Sequence, residues 1–139
     1  MPAFSTAPAF VSDCAMDSPH LDRAFRFKSN AVRGGVLEHI HFRDVKLGRV
    51  AKSVLGIEFD YEEGANGPHP PVLRDVTFER VTGESSGAVA SITSFPAATI
   101  TGVRLKDCVF RGVEGPDVLK HSGALIFENV TIEPVKKKK

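Results

Sequence analysis

Two six-residue stretches, Phe42-Arg-Asp-Val-Lys-Leu47 and Leu73-Arg-Asp-Val-Thr-Phe78, share one pattern: apolar, any residue, Asp or Asn, Val or Cys, any residue, apolar. The pattern occurs five times, and the other three occurrences are Val11–Met16, Leu105–Phe110 and Phe127–Ile132. Its Asp or Asn positions are separated by 31, 31, 32 and 22 residues. A repeat that returns at nearly constant spacing indicates a solenoid, in which each repeat forms one coil stacked on the last.

Short strands are predicted between these repeats as well. Apolar and polar residues alternate over Ala24–Lys28, Val54–Asp60 and Ala88–Ile92, and Gly, Pro, Asn and Asp separate the alternating stretches. No helical apolar period extends beyond two turns. We therefore predict an all-β fold, a short right-handed parallel β-helix of about four to five coils. A β-sandwich is the alternative, but it would not require one motif to return at constant spacing.

The predicted β-helix covers residues 9–133 of the 139 residues. Residues 1–8 form an N-terminal segment that could cap one end, and residues 134–139 form a Lys-rich tail. A β-helix has open ends whose strand edges lack partners, and proteins cover or pair such edges. We therefore expect either a homo-oligomer that forms through the β-helix ends, or a chain cut from a longer protein.

Composition excludes several classes of protein. The 18 Lys and Arg nearly balance the 17 Asp and Glu, and four of the Lys lie in the terminal run 136–139, so no nucleic-acid partner is expected. Residues 23–52 hold eight basic and two acidic side chains, whereas residues 58–86 hold two basic and seven acidic ones. No apolar run approaches the ~20 residues that cross a bilayer, so no membrane partner is expected. The N-terminus has no secretory signal, which predicts a cytoplasmic protein if the chain is expressed as written.

No cofactor or metal site is expected. Two cysteines are too few for a disulfide framework or a structural zinc site. Cys14 and Cys108 fall in the motif column of Val45, Val76 and Val130, which predicts two buried thiols on different coils. His39 and His41 share one face of a strand and could ligate a metal, but the sequence offers no third ligand nearby, which favours a solvated surface.

The segment Arg26-Phe-Lys28-Ser-Asn-Ala-Val-Arg-Gly-Gly35 resembles the Arg-Ile-Lys region of polygalacturonases, the pectin-cleaving enzymes of glycoside hydrolase family 28. The similarity extends from about residue 9 to 133 and includes Asp44-Val, residues 57–64 with Tyr61, and residues 107–112. It implies a right-handed parallel β-helix. It also implies that Arg26 and Lys28 hold the carboxylate of a substrate galacturonate and that Tyr61 contacts the substrate, so that an acidic oligosaccharide (a galacturonide) is the expected ligand. Relatives in this family are usually secreted or periplasmic.

The geometry of a strand supports this assignment of Arg26 and Lys28. In Ala24-Phe-Arg-Phe-Lys28 the two Phe side chains face one way, and the two cations face the other, about 7 Å apart. Arg can bind a carboxylate with two hydrogen bonds while Lys adds a point charge. Ion pairing within the fold is the alternative, because a shift of 32 residues would place Arg26 beside Glu58 and Lys28 beside Asp60.

The catalytic motifs of the resembled family are missing. Its hydrolytic chemistry needs paired carboxylates, which the family draws from Asn-Thr-Asp, Asp-Asp and Gly-His-Gly motifs on coils before the Arg-Lys strand. None of these motifs occurs here, and only 25 residues precede Arg26. We therefore predict no catalytic residues and a truncated polygalacturonase-like β-helix that is inactive alone and at most binds galacturonides. The alternative is a structural or self-assembling β-helix with no ligand, and a further one is that another chain supplies the missing coils.

Overall fold

The computed structural model describes residues 9–18, 20–60, 64–121 and 125–135, which form nine β-strands and include no α-helix. The strands are β1 Ala9–Met16, β2 Arg23–Lys28, β3 Val36–Glu58, β4 Val72–Thr93, β5 Thr99–Lys106, β6 Val109–Val113, β7 Val118–Lys120, β8 Ile126–Glu128 and β9 Thr131–Pro134. All the pairings between these strands are parallel. The predicted parallel β-helix is confirmed. Helices that could span a membrane are absent from these described ranges.

The strands stack as successive coils. β1 and β2 lie on one side of β3, and β4 lies on the other side. β5, β6 and β7 pair with β4, and then β8 and β9 pair with β5 and β6. The long strands β3 and β4, with 23 and 22 residues, each bend around most of one coil. Three more complete coils therefore lie between the first coil, β1 and β2, and the last coil, β8 and β9.

The bends occur where the backbone enters the left-handed region. One column of such residues, with φ between 53° and 55°, runs through Asp13, Asp44, Arg80, Asp107 and Asn129. A second column, five residues earlier on the middle coils, contains His39, Asp75 and Gly102. Asp and Asn adopt this conformation at less cost than most residues, which explains their return at each coil.

The predicted stacking of Asp75 on Asp44 is wrong. Up to Val50, β3 pairs with β4 at a spacing of 36 residues, so Arg80 lies beside Asp44 and Asp75 lies in the second column of bends. From Ser53 onward the spacing is 35. The inward column therefore contains Val81 rather than Val76, between Val45 and Cys108. The difference arises because the segment that leads from β3 to β4 is longer than the segments between the other coils.

Inward side chains form the core. Phe25, Phe42 and Phe78 come from three successive coils, and their ring centroids lie 4.5 to 5.1 Å apart, which suits aromatic packing. Cys108 is fully buried, as predicted, and burial raises the pKa of its thiol. Cys14 is only half-buried on the first coil, and both thiols are free.

Ion pairs connect the outer surfaces of the second and third coils. The Arg80 guanidinium lies 2.6 Å from Asp44 Oδ1 and also contacts Glu79. This hydrogen bond and the charge of Arg80 hold the pKa of Asp44 below its ordinary value. Arg74 and Glu38 form a second pair at 2.5 Å. The Arg80–Asp44 pair is exposed and adds little to stability by itself, whereas Glu38 is buried, at 8% exposure. Both pairs fit only the observed register.

Candidate ligand-binding site

The outer face of β2 presents Arg26 and Lys28. Phe25 is buried between Phe42 and Phe78, whereas Arg26 and Lys28 are exposed, as the alternation of side chains along a strand predicts. The aromatic residues thus pack the strand against the core, so the two cations on its opposite face point to the surface.

The register of β2 on β3 differs from the predicted one. Phe25 lies beside Leu55 and Phe27 beside Ile57, so the spacing is 30 residues rather than 32. Between β1 and β3 the spacing is 31, which is one residue more than between β2 and β3. The corner between β1 and β2 on the first coil is therefore one residue longer than the matching corner on the second coil. Because the predicted and observed spacings differ by two residues, an even number, every side chain of β2 stays on its predicted face.

This register changes the predicted partner of Lys28. Lys28 lies beside Glu58 rather than beside Asp60. Asp60 instead accepts a hydrogen bond of 2.7 Å from the hydroxyl of Thr93, on the next coil. The expected pairing of Lys28 with Asp60 is therefore wrong.

Glu58 is the centre of the charge cluster on this face. Its Oε2 lies 2.8 Å from Nη2 of Arg26, and its Oε1 lies 3.0 Å from Nη2 of Arg23. The predicted pairing of Arg26 with Glu58 is confirmed, although the two residues are offset by two positions along the strands. Lys28 lies beside Glu58, so two arginines, one lysine and one carboxylate come together on this face.

Arg23 is the member of this cluster that sequence reasoning missed. Its position on the Phe25 side of the alternation suggested an inward side chain, yet its guanidinium reaches Glu58 across Gly56. A Cβ at Gly56 would lie 2.5 Å from Arg23 Cδ, so only glycine leaves room for the Arg23 side chain. No signal in the sequence indicated this contact, because the predicted register placed Gly56 opposite Ala24 rather than opposite Arg26.

Two rows of side chains extend the site across the coils. Arg26 begins a row that continues through Gly56, Ser91 and Val118. Lys28 begins the neighbouring row, which continues through Glu58, Thr93 and Lys120. Side chains in successive coils of one row are a strand spacing apart, about 4.8 Å, so this face forms a polar strip with basic residues at both ends of the second row.

Tyr61, the third residue that the resemblance implies, lies outside the described residues, and its role stays a prediction. In the sequence it directly follows Asp60, which ends the outer strip on the second coil.

A pair of carboxylates suited to glycoside hydrolysis needs one acid and one base that flank the scissile bond. On the described strip, both oxygens of Glu58 contact arginines, and Oδ1 of Asp60 accepts the Thr93 hydrogen bond. Both carboxylates therefore form contacts within the fold.

The two histidines of the His39-x-His41 motif have separate partners. His39 Nδ1 lies 2.5 Å from Asp75 Oδ2, and the ring of His41 stacks on Phe10 at 5.1 Å. No group of three metal-binding side chains occurs within the part of the chain that the structure describes.

Comparisons with known proteins agree with this fold. The sequence model of the family described as "Glycosyl hydrolases family 28" matches residues 9–121. Among solved structures, a hyperthermoactive exopolygalacturonase from Thermotoga maritima is similar, with a TM-score of 0.78 and 24% sequence identity. The match covers 86% of this chain and 26% of that one, so the chain spans about a quarter of the length of that protein. Comparison with the curated proteins finds no match.

The family match covers most of the chain, and it includes the strand that carries Arg26 and Lys28. The family match agrees both with the resemblance seen in the sequence and with the parallel β-helix of the structure. The chain belongs to the glycosyl hydrolases of family 28.

Proposed function

We propose that this chain binds galacturonides on the outer face of β2 and does not cleave them by itself. The cluster of Arg23, Arg26, Lys28 and Glu58 carries the proposal, because it brings three cationic side chains together on the outer face of β2 in a chain of this family. Polymers of galacturonate carry one carboxylate on each sugar unit, and such a strip attracts them.

Arg26 is the principal contact in this proposal. Its side chain is 42% exposed, and its bond to Glu58 uses one nitrogen of a guanidinium that has five N–H donors. The remaining donors suit a carboxylate, and a hydrogen bond between two charged groups is about twice as strong as a neutral one. Lys28, two residues along the same face, adds a second positive charge.

Two observations support the part of the proposal that excludes cleavage: the motifs missing from the sequence and the contacts of the carboxylates on the strip. The sequence holds none of the Asn-Thr-Asp, Asp-Asp and Gly-His-Gly motifs. The nearest described carboxylates to Arg26 and Lys28 are those already bound to arginines or to Thr93. The proposal therefore limits this chain to binding, with hydrolysis dependent on groups that it does not contain.

Calorimetric titration with trigalacturonate tests the proposal. Arg26→Ala should weaken binding at least tenfold, because it removes a charge-assisted contact. Arg111→Ala is the matched control, since Arg111 is also exposed and also pairs with a glutamate, Glu133, at 3.5 Å. Equal affinity of the Arg26→Ala protein and the unmodified protein would show that the site is wrong.

A reducing-sugar assay with the same oligomer tests the second half of the proposal. The purified chain should release no new reducing ends over many hours. Sustained release that persists through repurification would overturn the claim that the chain only binds.

Self-association is a second candidate function, and exposed apolar side chains at both ends of the β-helix favour it. At the last coils Val118, Leu119, Ile126, Phe127 and Ile132 are between 37% and 49% exposed. At the first coil Phe10 is 61% exposed. Within the described residues, β1 pairs only with β3 and β8 only with β5, so each has one free edge.

The rows of the β-helix show how a second copy would fit. If the last coil of one copy continued onto the first coil of the next, Phe127 would meet Val11 and Ile132 would meet Met16, because these residues occupy equivalent rows. Two different surfaces meet in this arrangement, so it is head-to-tail and extends into a line of copies.

A further inference from the structure

The last coil carries the same sequence motif as the first coil. It reads Phe127-Glu-Asn-Val-Thr-Ile132 in β8 and β9, and Val11-Ser-Asp-Cys-Ala-Met16 in β1. The two stretches occupy the same rows of the β-helix. Because their inward and outward side chains alternate in the same order, the free edge of the last coil matches the free edge of the first coil of a second copy.

The apolar core is open where these two stretches lie. Phe127 and Ile132 are each 44% exposed, whereas their neighbours on the preceding coil, Leu105 and Phe110, are each 1% exposed. The inward side chains of β1 are likewise only half-buried, and they are Val11, Cys14 and Met16. A second copy placed in register would continue the core across the junction and bury apolar surface at both ends.

The backbone at the corner of the last coil can continue the hydrogen bonds of the fold. Between the last two coils, Asp107 N donates to the carbonyl oxygen of Glu128 at 2.9 Å. In the equivalent positions of a junction, Asn129 N would donate to the carbonyl oxygen of Ser12 in the next copy. Main-chain bonds of this kind give affinity to a strand that is added to a free edge, and side chains decide which strand fits.

The corner side chains show which strand fits here. Arg80 Nε donates to Asp44 Oδ1 at 2.6 Å, and Asn129 Nδ2 donates to Asp107 Oδ1 at 2.7 Å. Asp13, at the corner of the first coil, is exposed and forms none of the side-chain hydrogen bonds found between described residues. The column of corners therefore begins on an unused carboxylate and ends on an amide donor.

We propose that Asn129 donates a hydrogen bond to the Asp13 carboxylate of the next copy, and that this contact sets the register of a head-to-tail junction. The Asn129 amide has two N–H groups, and Asp107 uses one of them. Asn129 and Asp13 both have a φ of 55°, so the two backbones bend alike. A hydrogen bond to a charged acceptor is stronger than a neutral one. The inference rests on the proposed self-association and names the polar contact that directs it.

The uncharged side chain of Asn129 is what allows the last coil to accept the first. A carboxylate at this corner would lie between Asp107 of its own chain and Asp13 of the next copy. Like charges directly opposite each other destabilise the pairing of two strands. A change of one atom, from the amide nitrogen to an oxygen, should therefore separate the copies.

The test uses the full chain and Asn129→Asp, with the mass measured by light scattering over a range of concentrations. The association constant should fall by about tenfold, because a hydrogen bond is replaced by a like-charge contact. Added salt should reduce this loss. Asn66→Asp is the matched control, since Asn66 is exposed in the connection between β3 and β4 and belongs to neither end coil. It should leave the mass unchanged.

Asp13→Asn, added to the Asn129→Asp chain, should restore association, because the amide and the carboxylate then exchange places across the junction. This rescue separates a contact between copies from any weakening of the last coil by the new charge beside Asp107. Asp13→Gly is a further variant that leaves the last coil unchanged. Glycine keeps the bend at a positive φ, so the loss of the carboxylate alone should weaken association by about fivefold.

The outcomes separate this contact from self-association itself. If the unmodified chain associates and both Asn129→Asp and Asp13→Gly associate as strongly as Asn66→Asp, the contact is wrong and self-association stands. If Asn129→Asp separates the copies and Asp13→Asn does not restore them, the last coil does not meet Asp13, and the contact is again wrong. If the unmodified chain is a monomer at every concentration, both proposals are overturned.

Discussion

Glu58 contacts the same guanidinium groups that a galacturonate carboxylate would use. Its two oxygens lie 3.0 Å and 2.8 Å from the arginines on either side. A ligand must therefore compete with Glu58 or share the remaining donors with it. The carboxylate also holds both arginines in position on the face, and it lowers the net charge of the cluster.

Glu58→Gln should strengthen the binding of trigalacturonate by a few-fold. The glutamine keeps an acceptor for the arginines but removes the negative charge that repels the ligand, and the effect should shrink as salt is added. Calorimetry at two ionic strengths measures both. Glu133→Gln is the control, because it neutralises a glutamate that pairs with Arg111 away from β2. Weaker binding by Glu58→Gln would mean that Glu58 orients the arginines more than it competes.

At this scale the sequence predicted part of the site. Alternation along β2 placed Arg26 and Lys28 outward, because one face of a strand must carry the apolar side chains. The same rule missed Arg23, since a long side chain at the end of a strand can turn over a neighbouring glycine.

At the scale of the strands, the bends of β3 and β4 carry the ion pair of Asp44 and Arg80, and its contribution to the stability of the fold depends on pH. Asp44 has a pKa below its ordinary value, because Arg80 donates a hydrogen bond to it and carries positive charge. A carboxyl with a lowered pKa in the folded state stabilises the fold above its unfolded pKa of about 3.9 and loses that contribution as the pH falls.

Asp44→Asn should therefore lower the melting temperature at pH 7, and the difference from the unmodified protein should shrink toward pH 3. Asparagine keeps the left-handed bend, since the corner residue of the last coil is itself Asn129. Asp13→Asn is the control, at a corner of the first coil that forms none of the ion pairs found among the described residues. A difference that stays constant between pH 3 and pH 7 would contradict the electrostatic origin.

The elements themselves followed from the sequence, but one register did not. The motif predicted the strands, and each of its Asp or Asn positions is a corner residue in the left-handed region. It could not tell which of two corners a given Asp occupies. The 36-residue spacing between β3 and β4 depends on the long connection between them, and local patterns do not report its path.

On the scale of the whole molecule, the coil ends should determine the oligomeric state. Light scattering after size exclusion should give a mass above the 15.0 kDa of one chain, and the mass should rise with concentration. Phe127→Lys should return the protein to a monomer, because it places a charge on the apolar surface of the last coils.

Val36→Lys provides the control for this substitution. Val36 is 44% exposed and begins β3, on the second coil, so it belongs to neither end coil. It should leave the mass unchanged. A monomer at all concentrations for the unmodified chain would exclude association through the ends.

The two columns of bends, five residues apart, have a consequence for how the chain reaches its fold. If β4 met β3 five residues out of place, Asp75 would arrive at the corner of Asp44, and Leu73, Val76 and Phe78 would still meet the apolar side chains Phe42, Val45 and Leu47. These three apolar contacts alone would not distinguish this mispairing from the native one. The surface charges would, because Asp44 would face a second aspartate instead of Arg80. We therefore expect the Asp44–Arg80 pair, which adds little to equilibrium stability, to favour the correct alignment of β4 on β3 as the chain folds.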